Sequence, residues 1–320
     1  MRGAGSSESL EPVTPQPVDR LTLMLPTPIR LFYALRRLFI GMLNAPSRLQ
    51  RLQVQIAQLQ LELHRRHPPE RIEDAEMCVF SQSGEDGIIQ WLIRAIDVQA
   101  RSFVEFGVED YSESNTRFLL LNDDWRGLVL DSGKRNIAAI RHDPISWRHN
   151  LKAVQAMITA ENINALLTDA GFIGPIGLLS IDIDGNDYWV WKAIRDVQPE
   201  IVVIEYNSRF GAERSVTIPY QADFQRFKAH YSGLYSGASL SALHKLGLEK
   251  GYALVGCNAA GTNAFFVRQD RLPAGLRARS VREAFRSSTM RQARDLRGAL
   301  TLQSAEEEVA LIESLPLEQV

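Results

Sequence analysis

Between about Phe80 and Arg268 the chain alternates short, continuous apolar runs with stretches of helical periodicity. Ser102-Phe-Val-Glu-Phe-Gly107 reads as a strand, Asn115 to Asn122 as a helix, and Gly127-Leu-Val-Leu-Asp131 as a second strand. Leu151 to Ile158, Gly177 to Asp182 and Ile201 to Glu205 supply three more, and Tyr252 to Gly256 and Ala264 to Arg268 close the sheet. Runs that are apolar throughout belong to strands covered on both faces, so the pattern predicts a parallel, Rossmann-like α/β sheet. Such sheets bind ligands beyond the carboxyl ends of their strands. Glu105, Asp131, Asp182, Asp184 and Glu205 all fall at or just past those ends.

The first loop narrows the ligand. Gly107 allows close backbone approach, and Ser114 or Asn115 is a natural cap for the helix that follows. This is the position of a nucleotide loop, but a pyrophosphate needs a glycine-rich turn free of anions. Here one glycine is followed by Glu109, Asp110 and Glu113, which argues against NAD or FAD and suits a cationic cofactor such as S-adenosylmethionine. Asp131, about twenty residues on, is placed to accept both ribose hydroxyls, with Ser132 adding a contact. Asp182 and Asp184 share one side of an extended chain. They could orient the cofactor amine, act as base, or hold a divalent cation such as Mg²⁺ through oxygen ligands. Glu205 and Asn207 could complete that site, with Asp184 and Glu205 as the metal ligands. The bland alternative is a helix cap by Asp184 or Asn186. In Ser81-Gln82-Ser83-Gly84-Glu85-Asp86-Gly87, Ser81 or Ser83 reads as a helix cap, and Gln82 and Glu85 could face the cofactor. His230 and His244 are isolated and read mainly as surface or core residues.

The flanks differ from this centre. Residues 1–28 read as a disordered lead-in without a signal-peptide core. Ile29 to Leu43 is amphipathic: Leu31, Phe32, Leu35, Leu38, Phe39, Met42 and Leu43 share a face, with arginines opposite and at the margin. That suits either peripheral contact with a membrane or packing on a protein. From Ala45 to His67, Leu49, Leu52, Ile56, Leu59 and Leu63 follow 3, 4, 3, 4 spacing. This is a short coiled-coil seam that could join copies of the chain, or a helix docked on its own domain. Residues 78–270 form the main domain, and 271–320 read as a helical extension. Arg271 to Arg297 holds eight Arg and two acids. The net charge of −2 gives no pull toward nucleic acid. Two cysteines, Cys78 and Cys257, read as buried, reduced thiols, which fits the cytoplasm, with the inner membrane surface as a peripheral site. No apolar stretch reaches the roughly 18 residues that span a bilayer.

SQSGEDGIIQWL, FVEFGVEDYSESNT, GLVLDSGKRNI, ITAENIN and LLSIDIDGNDYWVWKAI occur in an order that resembles FkbM-type S-adenosylmethionine-dependent methyltransferases, over about Phe80 to Arg268. The resemblance implies a class I methyltransferase fold acting on a hydroxyl of a sugar, a glycan or a polyketide. It implies that Glu105, Gly107, Asn115 and Asp131 line the cofactor site, with Asp182 near the methyl group. IDIDGNDYWVW departs from the more usual ID-x-E-G-x-E form. The expected activity is O-methylation of a hydroxyl acceptor, with Asp182, Asp184 and Glu205 as catalytic residues. One alternative is a metal-dependent glycosyltransferase using Asp182-Ile-Asp184 as a D-x-D motif. The other is a non-catalytic scaffold organised by the coiled coil.

Overall fold

The computed structural model describes residues 27–320, with backbone alone at several positions up to residue 46. The expected lead-in, residues 1–28, therefore lies almost wholly outside the described residues. The chain divides after Gln53 into two units. The helix α1, Thr27–Arg66, is continuous and joins the two segments that the sequence separates. No helix among the described residues is long and apolar enough to cross a membrane.

The second unit is built on a seven-stranded sheet. Its strands are β1 (Ser102–Phe106), β2 (Arg126–Asp131), β3 (Leu151–Gln155), β4 (Gly174–Ile181), β5 (Val197–Glu205), β6 (Tyr252–Cys257) and β7 (Asn263–Arg268). Their spatial order is β3-β2-β1-β4-β5-β7-β6. The first five are parallel. The last strand, β7, runs antiparallel to both β5 and β6. The cause is the connection: residues 258–262 are too few for a parallel crossover, which needs a dozen or more.

Helices cover both faces, as the apolar runs require. Successive residues of β1 alternate between two cores: Phe103 faces one, Val104 and Phe106 the other. The helices α2 (Glu85–Ala95), α3 (Arg117–Asp123) and α4 (Lys134–His142) bury Ile88, Leu92, Leu119, Leu120, Ile137 and Ile140 on the first face. The opposite face takes Ile163 and Leu167 of α5 (Ile163–Asp169), Trp191 of α6 (Asp187–Ala193) and Leu243 of α7 (Leu240–Glu249). Within the same unit, Ala57 and Leu61 on the C-terminal part of α1 pack against Met77, Val79, Phe80 and Phe118.

Beyond Asp270 the structure corrects the expected helical extension. Only Val281–Ala284 and Ala305–Ile312 are α-helical there, each opened by a serine–glutamate capping box. The remainder is held to the main domain by ion pairs and by backbone hydrogen bonds, among them the Arg279 amide to the Leu254 carbonyl at 2.8 Å and the Thr289 amide to the Ala260 carbonyl at 3.1 Å. Arg279 and Arg286 converge on Glu73 at 2.7 and 2.6 Å, and Arg271 meets Glu200 at 2.7 Å. Arg209 pairs with Glu308 at 2.6 Å, both nearly buried. Several of the clustered arginines thus serve the domain itself. The tail returns to pair Glu318–Gln319 with Val216–Thr217. Cys257 is buried as expected, but Cys78 is exposed, on a turn where its thiol donates to the Ser81 carbonyl.

Candidate active site

A cavity of about 880 Å³ opens at the carboxyl ends of β1, β2, β4 and β5. Its lining contains Gln82, Glu105, Gly107, Asn115, Asp131, Ser132, Asp182, Asp184 and Glu205, so the structure brings every expected site residue except Asn207 to one place.

The first wall is the loop after β1. Glu105 is its anchor: the buried carboxylate accepts from the Asn115 and Thr116 amides at 2.8 and 3.2 Å and from the Thr116 hydroxyl at 2.5 Å. Burial pushes the Glu105 carboxyl up to about 7. Asn115 donates to the Ser180 hydroxyl at 3.1 Å, and the Ser114 hydroxyl accepts from the Arg117 amide, but neither holds the expected cap position of α3, which falls to Thr116 without a side-chain cap bond. Gly107 has φ +71°, and a Cβ there would lie 1.6 Å from the Asp182 carbonyl. The glycine is therefore required by the β4 backbone, which crosses it closely, independently of any ligand. Glu109 and Tyr111 also hold left-handed backbone, which is uncommon for residues with a side chain. The Glu109 amide is fixed by Asp131 Oδ2 at 2.9 Å, and the buried Tyr111 hydroxyl lies 3.0 Å from that of Thr116, the residue at the cap position of α3.

Asp131 sits where a ribose-binding acid is expected, but most of its capacity is used by the protein. Oδ1 accepts from the Gly133 amide at 2.6 Å and the Asn136 side chain at 3.0 Å, and Oδ2 from Glu109. A carboxylate offers about four acceptor positions, so one remains, on Oδ2. A two-oxygen grip on both ribose hydroxyls is not open to it in this arrangement.

The second wall is the loop after β4. Asp182, Asp184 and Glu205 each present a carboxylate oxygen within 4.8 Å of the others. Asp187 shapes the loop by accepting from the Ile183 and Gly185 amides at 2.8 and 3.0 Å, and burial raises its carboxyl to about 6. Asp184 takes a left-handed φ of +57°. The expected cap by Asp184 or Asn186 is absent: Asn186 occupies the cap position without a side-chain cap bond and donates instead to the Gln221 carbonyl. Burial, then the neighbouring carboxylates, push Asp182 and Glu205 well above the usual range. The balancing charge is Arg226, which pairs with Asp184 and also donates to the Gly233 carbonyl at 2.7 Å and to Gln292 at 2.5 Å. Burial works against its charge, and Asp184, Glu205 and Asp182 outweigh that cost.

Asn207 turns away, donating to the Leu234 and Ser236 carbonyls at 2.8 and 3.0 Å. The Ser81/Ser83 cap is also altered. Gly84 holds the cap position of α2, while Asp86 accepts from the Val79, Phe80 and Ser81 amides and Ser81 accepts from the Asp86 amide. Glu85 lines the cavity and accepts from Asn258 and Asn263. His230 and His244 do not line the cavity. Sequence reasoning missed Asn136, Asn263, Phe224, Arg226 and Met290 to Gln292, which also belong to the lining. Only Asn136 carried a usable signal, five residues past Asp131.

No family model and no curated protein matches the sequence. Solved structures to which the chain is similar include the N-terminal domain of EvdMO1 with SAH bound. That domain is 11% identical over 63% of this chain and 83% of the other, with a TM-score of 0.39. An S-adenosylmethionine-dependent methyltransferase from Clostridium acetobutylicum is 9% identical over 57% and 89%, with a TM-score of 0.38. The O-methyltransferase from Bacillus cereus in complex with SAH is 15% identical over 67% and 88%, with a TM-score of 0.35. All three scores lie below 0.5, so a functional reading has to stand on the geometry of the cavity.

Proposed function

We propose that the chain is an S-adenosylmethionine-dependent methyltransferase that methylates a hydroxyl of a sugar, glycan or related acceptor. The observation that carries this reading is the acidity of the cavity. Glu109, Asp110 and Glu113 line it beside Glu105 and Asp131, and the loop has no glycine-rich cradle for phosphate. A sulfonium and an ammonium gain from such a wall, whereas a diphosphate is repelled. The same repulsion weighs against a glycosyltransferase reading of Asp182-Ile-Asp184.

In the proposed reaction the acceptor oxygen attacks the methyl carbon, the carbon–sulfur bond breaks, and its electron pair leaves with sulfur as a neutral thioether. The acceptor proton passes to a carboxylate of the Asp182, Asp184 and Glu205 group. Alignment of the two reactants supplies most of the rate, as expected for an already activated donor. Asp131, through its free Oδ2 position, accepts from one ribose hydroxyl, and Asn136 and Gly133 hold it in place. Burial favours the protonated forms of Asp182 and Glu205, so each can donate to an acceptor oxygen or, once ionised, receive its proton. The three carboxylates also fit a hard divalent cation such as Mg²⁺, since they offer only oxygen ligands. Asp182, Asp184 and Glu205 would hold it, and it would polarise the acceptor hydroxyl.

The test is S-adenosylhomocysteine release from S-adenosylmethionine in the presence of a panel of sugar and glycan acceptors, with and without Mg²⁺. Acceptor-dependent release that falls in Asp184→Asn supports the reading. Absence of release over the panel, together with release of nucleoside diphosphate from a nucleotide sugar, would overturn it.

A further inference from the structure

The helix α1 uses one side on its own domain and leaves another free. Ala57 and Leu61 are buried, and Val54 packs beside them. In the heptad whose a positions are Leu49, Ile56 and Leu63, these three residues fall at b and f. The seam itself, Leu49, Leu52, Ile56, Leu59 and Leu63, lies roughly 150° around the helix at 100° per residue. Its five side chains are between 53% and 68% exposed. Docking on the main domain, the alternative open in the sequence, therefore accounts for the b and f stripe and not for the seam.

The continuity of α1 lengthens the repeat. Counting back from Leu49 in unbroken 3-and-4 steps gives Ala45, Met42, Leu38, Leu35 and Leu31, all within Thr27–Arg66. The two segments that looked separate in the sequence share one phase, and Pro46, which lacks an N–H for residue 42 and bends a helix, stands between them.

We infer that this seam pairs with the same seam of a second copy of this chain as a parallel, two-stranded coiled coil. A 3-and-4 repeat is complementary to a helix of equal period, and the identical helix is such a partner. Charge agrees with that occupant. In parallel register each g residue faces the e residue five positions on in the other copy. From Arg48 onward the pairs are Arg48 with Gln53, Gln55 with Gln60, and Glu62 with His67, none of like charge, and Glu62 is also held by Arg65 and Arg66 of its own helix at 3.1 Å. Leu52 and Leu59 at d with β-branched Ile56 at a match the preference of parallel pairs. The domain-packed stripe points away from the seam, so pairing leaves the cis contacts of Ala57 and Leu61 intact.

The test uses the full chain and does not depend on methyltransferase activity. Sedimentation velocity should give twice the 36.0 kDa chain mass, and L52E/L59E should shift it to the monomer without changing the thermal melt of the main domain. In a C78S/C257A background, L52C should form an interchain disulfide under mild oxidation, because identical d positions meet only in a parallel, in-register pair. R51C, at c, should not. A monomer at tens of micromolar, equal cross-linking at 51 and 52, or a dimer untouched by L52E/L59E would overturn the inference. So would a monomer that floats with phosphatidylserine vesicles through the same face.

Discussion

Arg226 reaches from the short helix Arg226–Ala229 to the carboxylate of Asp184 in the loop after β4, 42 residues earlier in the chain. Through the same guanidinium it holds the Gly233 carbonyl and Gln292, so one side chain joins three segments around the acidic end of the cavity. Replacing it with Met should lower turnover on the order of 100-fold, the scale for removing one preorganised electrostatic group. Cofactor affinity should stay within about two-fold, because Arg226 lies at the Asp184 end rather than at Asp131. Arg226→Lys should not restore activity, since an ammonium lacks the planar fork. Steady-state kinetics beside a binding titration check both, and a fully active R226M would remove Arg226 from the site.

Gly107 offers a stability test. Alanine there would combine left-handed backbone with a Cβ placed 1.6 Å from the Asp182 carbonyl. We expect Gly107→Ala to cost at least ~2 kcal/mol in urea unfolding, from the backbone penalty and the forced displacement of β4. An unchanged midpoint would show that the two strands can separate freely.

The site was legible where function is written into short local patterns. Strand-end acids, the acidic loop and Asp131 follow from alternation and spacing, and the cavity gathers them. Arg226 and Met290 to Gln292 were not legible, because a long-range ion pair and a folded-back segment leave no periodicity. Gly107 was found for a different reason from the one that operates, since a glycine in a loop does not reveal which backbone crosses it. The apolar run of β7 reads alike in either direction, and the short link through Asn258 decides its reversal.

The buried carboxyls set a pH dependence. Burial raises Glu105 to about 7 and Asp86 and Asp187 to about 6, against ordinary values near 4. A carboxyl raised on folding favours the folded state while protonated, so its contribution is full below about pH 4 and is lost as pH rises through 6 to 7. The urea midpoint should therefore fall from about pH 5 to about pH 8. Each tenfold gain in a carboxyl's proton affinity on folding is worth roughly 1.4 kcal/mol before compensation. Glu105→Gln should flatten that slope, and a midpoint rising over the same range would contradict a burial cost that outweighs the hydrogen bonds to these groups.

The Arg209–Glu308 pair tests how firmly the C-terminal segment belongs to the domain. With both side chains nearly buried, Glu308→Ala leaves a guanidinium without its partner and should cost ~3–5 kcal/mol. Limited proteolysis after residue 290 should become faster in the same variant. Unchanged stability would mean that the segment only rests on the surface.

The central claim is that the cavity between Glu105, Asp131 and Asp182 takes a cationic nucleoside cofactor. Isothermal titration of the full chain with S-adenosylmethionine, S-adenosylhomocysteine and a uridine diphosphate sugar tests it without any acceptor. Saturable binding of the first two is expected, at least ~10-fold weaker in Asp131→Ala as one charged hydrogen bond is lost, with no binding of the nucleotide sugar. Binding of the nucleotide sugar with none of S-adenosylmethionine would contradict it.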